Sequence, residues 1–112
     1  MRFAFKTSPQ GTTWDAMLQV WRAADDIEMF ESGWTSDHFY PTHSADPALP
    51  RLEGWITLTA LAQATSRLRM GTLVTGIHYR HPAVLANVTP PPVEAGGFSL
   101  CRVGVAADQP GP

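Results

Sequence analysis

Charged and apolar residues alternate from Arg2 to Lys6 around Phe3 and Phe5, the two-residue period of a β-strand. Pro9 and Gly11 break that run, and Thr12, three residues before Asp15, offers a capping box for a helix beginning near Trp14. Met17, Val20, Trp21, Ala24 and Ile27 then recur at spacings of three and four, a single apolar stripe with Arg22, Asp25 and Asp26 largely on the other side. Such a stripe is expected to face a sheet. The helix is placed to stop near Glu28 and a second strand to run from Glu31 to Ser36, with Gly33 readable as a helix cap or as part of the strand.

Phe39 to Glu53 holds Pro41, Pro47 and Pro50, which neither a helix interior nor a central strand tolerates, so it reads as a long loop. From Glu53 the helical period returns, with Trp55, Leu58, Leu61, Ala62 and Thr65 on one face and an end near Ser66. Leu68 to Val74 is the third strand. His81-Pro82 opens a third helix over Ala83 to Asn87, because a proline at the first helical position loses no hydrogen bond and holds the residue before it extended. Three strand-helix units in succession predict an α/β fold with parallel strands, in which ligands sit at the carboxyl ends of the strands, on the loops leading into the helices. After Asn87 the text changes: VTPPPVEAGG carries three consecutive prolines and two glycines, and only Val103 and Val105 suggest a weak strand.

Charged residues make up 16% of the 112, low against a typical value of about 25%, which suits buried elements better than a solvated tail. A net charge of -2 provides no basic patch for nucleic acid and no cationic face for a membrane, so a small-molecule substrate or a protein is the expected partner. The single cysteine, Cys101, excludes an internal disulfide, and MRFAFKTS lacks the apolar run of a signal peptide. No apolar run approaches the roughly 20 residues of a membrane span, and a cytoplasmic location is expected.

Asp37 and His38 stand where the second strand ends, so both reach the ligand face; taken as residues alone, the pair also reads as a turn and a cap. His78 and His81 are three apart, but no HExxH, paired cysteines or carboxylate cluster accompanies them, and no metal site is assigned; His81 is more simply a helix cap. Tyr79 and Arg80 offer a ring contact or an anion contact, or a solvated loop. The absence of GxSxG, GxGxxG and P-loop motifs takes most of the weight from hydrolase, Rossmann and NTPase readings.

Together GWTSDHFYP, LEGW followed by an apolar helix, and RLRMGTLVTGIHYRHPAVLAN resemble the bacterial luciferase-like monooxygenase family, whose members include oxidoreductases using flavin or the deazaflavin coenzyme F420. The resemblance covers about residues 1 to 87. It implies the first three strand-helix units of a (β/α)8 TIM barrel, incomplete, with F420 as first choice of cofactor, FMN as second, and a homo-oligomer in full-length relatives. It also implies that Asp37 and His38 line the ring site, His38 as proton donor or acceptor. By the same resemblance the Leu73-Val74 bond is a non-proline cis peptide on which the ring rests, and Thr75 and Gly76 continue that edge.

A barrel of this type takes about 250 residues and binds phosphate after its seventh and eighth strands. Relatives continue HPAVLA with a helix like MAATVDxxSGGR and a strand leading to GxGxGW, unlike residues 88 to 112 here. Codons allowed for CRVGVAADQP, shifted forward one nucleotide, spell VGLGWQPT, close to that strand. The tail from residue 88 is therefore read as aberrant and frameshifted, and the fragment as inactive. The competing reading is a small non-catalytic α/β binding or interaction module.

Overall fold

Parallel neighbours cannot be joined by a tight turn, and in this chain each pair is joined through a helix. The computed structural model describes residues 1–40, 44, 46–88 and 105–106. Strands β1 (Phe3–Lys6), β2 (Phe30–Thr35) and β3 (Arg69–Thr72) form one parallel sheet in that order, with helix α1 (Trp14–Asp25) between the first two and α2 (Gly54–Ala64) between the next. A two-residue strand β4 (Thr75–Gly76) and helix α3 (Pro82–Val88) follow, and β5 (Val105–Ala106) pairs in parallel with β4. This is the α/β architecture expected for part of a (β/α)8 barrel. Most of the tail lies outside the described residues, as do Pro41 and His43.

The two helices pack over the sheet and close a core of Met17, Trp21 and Ala24 from α1, Trp55, Leu58 and Leu61 from α2, and Leu68 and Met70 from the third strand region. At its centre the Trp21 indole lies on Gly33, where an added Cβ would stand 2.5 Å from Trp21 Cζ3 and 2.7 Å from Phe5 Cζ. Phe5 meets Trp21 edge-on at 4.9 Å, and the Trp21 indole N–H donates to Thr7 Oγ1 at 2.9 Å. Gly33 thus belongs to the strand and makes room for a tryptophan.

Several local expectations are corrected. The N-cap of α1 is Thr13, whose hydroxyl accepts from the Ala16 N–H, not Thr12. The helix ends at Asp25 rather than near Glu28, so Ile27 falls beyond it and is about half exposed, as is Val20 at the edge of the stripe. β2 starts one residue earlier and stops at Thr35. The run from Leu68 to Val74 is not one strand: β3 ends at Thr72, and the chain resumes pairing at Thr75.

The early end of α1 has a cause far along the chain. The Arg67 guanidinium donates to the carbonyls of Ala24, Asp25, Ile27 and Phe30, gathering acceptors from the helix end and the turn into β2. In return the Asp25 carboxylate accepts from the N–H groups of Ser66, Arg67 and Leu68 and from the Ser66 hydroxyl. This reciprocal tie fixes the amino-terminal end of β3 against the end of α1.

Candidate functional site at the strand ends

Because the three strands run parallel, the residues after Lys6, Thr35 and Thr72 all emerge at one end of the sheet. Backbone bonds extend the ladder there: the Thr7 N–H donates to the Trp34 carbonyl at 2.9 Å and the Leu73 N–H to the Thr35 carbonyl at 2.7 Å. The long loop before α2 is tied back to this end. Gln10 and Arg51 form an antiparallel bridge, Gly11 donates to the Pro50 carbonyl with φ +62, and the Arg51 guanidinium holds the Phe39 and Pro47 carbonyls. Glycine suits that left-handed turn.

Asp37 follows the end of β2 and is fully buried. Its Oδ2 accepts from the Gly76 N–H at 3.2 Å and from Arg80 Nη1 at 2.6 Å, while Oδ1 accepts from Arg80 Nη2 at 2.9 Å. The same guanidinium makes an ion pair with Glu53 Oε1, which lacks an aligned hydrogen bond. Glu53 is the N-cap of α2, its Oε2 accepting from the Ile56 N–H at 2.7 Å. Gly54 makes the approach possible, since a Cβ there would stand 2.8 Å from the Ser36 carbonyl oxygen and 3.2 Å from Asp37 Oδ1. Arg80, read from sequence as a ring or anion contact or a solvated loop residue, is a partly buried fork joining three segments. Only its distance from Asp37, 43 residues, hid the pairing.

The remaining expected residues sit as follows. His38 is half-buried, and its Nδ1 is buried with no hydrogen-bond partner among the described residues. The Leu73–Val74 peptide is cis, as the resemblance implies, with Leu73 49% exposed and Val74 partly so. Thr75 is fully buried and its hydroxyl is bonded to that of Thr72. Gly76 is covered by Tyr79, whose ring would stand 2.4 Å from an added Cβ. Tyr79 in turn stacks on Phe39, centroids 4.1 Å apart and planes 9° from parallel, and the Arg80 guanidinium carbon lies 5.6 Å from the Phe39 centroid. His81 caps α3, its Nδ1 accepting from the Ala83 N–H at 3.2 Å. His78 is exposed, and among the described residues no three His, Cys, Asp or Glu side chains converge as a metal site would require. A groove of about 420 Å³ between α2 and α3 is lined by Trp55, Ile56, Val84 and Val88 together with Phe39 and Arg80; Leu73, Val74 and Thr75 do not border it.

Among the described residues no helix is long and apolar enough to cross a membrane. The sequence model of the luciferase-like monooxygenase family matches residues 1–89, two residues past the boundary drawn at Asn87. No curated protein sequence matches significantly. Among solved structures, an F420-dependent secondary alcohol dehydrogenase in complex with an F420-acetone adduct superimposes with a TM-score of 0.69 at 24% identity, over 79% of this chain and 26% of that one. The coenzyme F420-dependent tetrahydromethanopterin reductase from Methanopyrus kandleri gives a TM-score of 0.63 at 23% identity, over 79% of this chain and 22% of that one. At these identities the likeness concerns the fold, and the chain spans about a quarter of the length of either structure.

Proposed function

Since the chain belongs to the luciferase-like monooxygenase family, we propose that residues 1–88 supply the first wall of a ring site for coenzyme F420, or alternatively FMN, in an oxidoreductase. The carrying observation is the meeting of two segments at the carboxyl ends of the sheet: Asp37–His38 after β2 and the Leu73–Gly76 bend after β3. F420 is preferred because both structural neighbours described above are F420-dependent enzymes. The residues fit a flat heterocycle with a polar rim. His38 Nδ1 is a buried polar atom without a partner among the described residues, a state that ordinarily calls for a ligand or water, and Leu73, about half exposed, and the partly buried Val74 offer apolar surface at the same strand ends.

When bound, the cofactor ring supplies hydride transfer. The chain's own part is orientation and proton handling. Leu73 and Val74 would support the ring, and His38 would hold or release a proton at Nδ1. Asp37 enters through the groups it binds, and Thr75 through its bond to Thr72, which fixes the backbone of that edge. Tight binding of such a cofactor requires enclosure on most sides and an anion site, and one wall supports only an affinity of about 1 mM or weaker.

The test is a titration of the purified chain with F420, oxidised and reduced, and with FMN. Cofactor fluorescence and the amide resonances of His38 and Leu73–Gly76 are followed together. Weak, F420-selective shifts confined to those amides are expected. An edge that responds to neither cofactor removes the reading, and saturable micromolar binding would show that the wall suffices by itself.

A further inference from the structure

Arg80 grips both chain neighbours of His38. It forks onto Asp37 on one side and lies over the Phe39 ring on the other, while the next residue back, Tyr79, stacks on that same ring. Its remaining reach goes to Glu53 at the start of α2, and Asp37 uses its spare lone pair on the Gly76 N–H. We infer that Asp37, Arg80 and Glu53 form a positioning clamp that sets the imidazole of His38 and the Leu73–Gly76 edge relative to each other. The inference rests on the ring site proposed above for its purpose, though not for its geometry.

Three observations carry it. Asp37 is fully buried and already accepts three hydrogen bonds of about four a carboxylate can take, so its charge is spent on the protein. Two of those bonds come from one guanidinium in a parallel fork, a geometry that an ammonium cannot reproduce. The segments joined are the ends of β2 and β4 and the first turn of α2, and every sequence-expected ring residue lies within or next to them. A merely stabilising ion pair would need none of this arrangement around a single histidine.

The test uses the full chain and Arg80→Lys, which keeps the charge and removes the fork, with Asp37→Asn as second variant. In the wild type the Gly76 amide is expected downfield and protected from exchange, as a donor to a carboxylate. In both variants the resonances of His38, Val74, Gly76 and Ile56 move together, while the Leu68 amide at the opposite end of the sheet stays in place. If Arg80→Lys lowers the melting midpoint and leaves His38 and Val74 unmoved in the folded chain, the ion pair only stabilises and the clamp is wrong. A wild-type Gly76 amide at its random-coil position overturns it at the first step. Adding F420 is a separate arm: loss of its shifts in Arg80→Lys alone extends the clamp to the ligand, and absence of shifts in the wild type overturns the ring site while the cofactor-free spectra still decide the clamp.

Discussion

Asp25 shows how a single carboxylate outweighs its own burial. Burial pushes its pKa up, but the N–H groups of Ser66, Arg67 and Leu68 and the Ser66 hydroxyl all favour the charged form, and the net result lies below the ordinary 3.8. A folded pKa below the unfolded one means that this stabilisation is fully present above the unfolded value and is lost as the pH falls through the folded one. Asp25→Asn keeps the shape and removes the charge, and, discounted for solvent screening, should cost about 1 kcal/mol near neutral pH. Urea melts of the two proteins across pH should converge as the pH falls through the lowered folded-state pKa, once both states are protonated; a gap that does not narrow on acidification would assign the cost to shape instead. Gly33 is the steric counterpart. Gly33→Ala drives a methyl into the rings of Trp21 and Phe5, both held in a packed core, and should lower stability by about 2 kcal/mol with an unchanged denaturant slope.

The ends of the elements follow the same logic. Thr13→Ala removes the hydroxyl that accepts the Ala16 N–H, and about 1 kcal/mol of stability with it, detectable as faster amide exchange in the first turn of α1. The stripe of Met17, Trp21 and Ala24 was legible because burial repeats with the geometry of the helix, whereas the alternation around Phe5 marked β1 although only Phe5 in it is partly buried. The stop at Asp25 was not, because the groups that end the helix belong to Arg67, about 40 residues later. Nor was the break of the third strand at Thr72 legible from periodicity, since Val74 and Thr75 are as β-prone as what precedes them. The resemblance, not the pattern, pointed to the Leu73–Val74 bond. Asp37 and His38 were legible as strand-end residues, whereas the partner of Asp37 required the fold.

At the scale of the molecule, apolar surface at Ile56, Ile77 and Val84 stays open, and among the described residues β3 pairs on one edge only. A purified chain with that surface should associate as its concentration rises; a thermal transition independent of concentration would favour the self-contained module. The two charged ties lie at opposite ends of one sheet, yet each spans the same length of chain, 43 residues from Asp25 to Leu68 and 43 from Asp37 to Arg80. Neither can form until the intervening α2 has folded back onto the sheet, because the two overlapping loops that they close both contain it. Stability and site geometry are therefore kinetically one event. The amides of Leu68 and Gly76, remote from each other in space, should open to solvent at a common rate, so that whatever loosens the foot of this sheet also disarms its top.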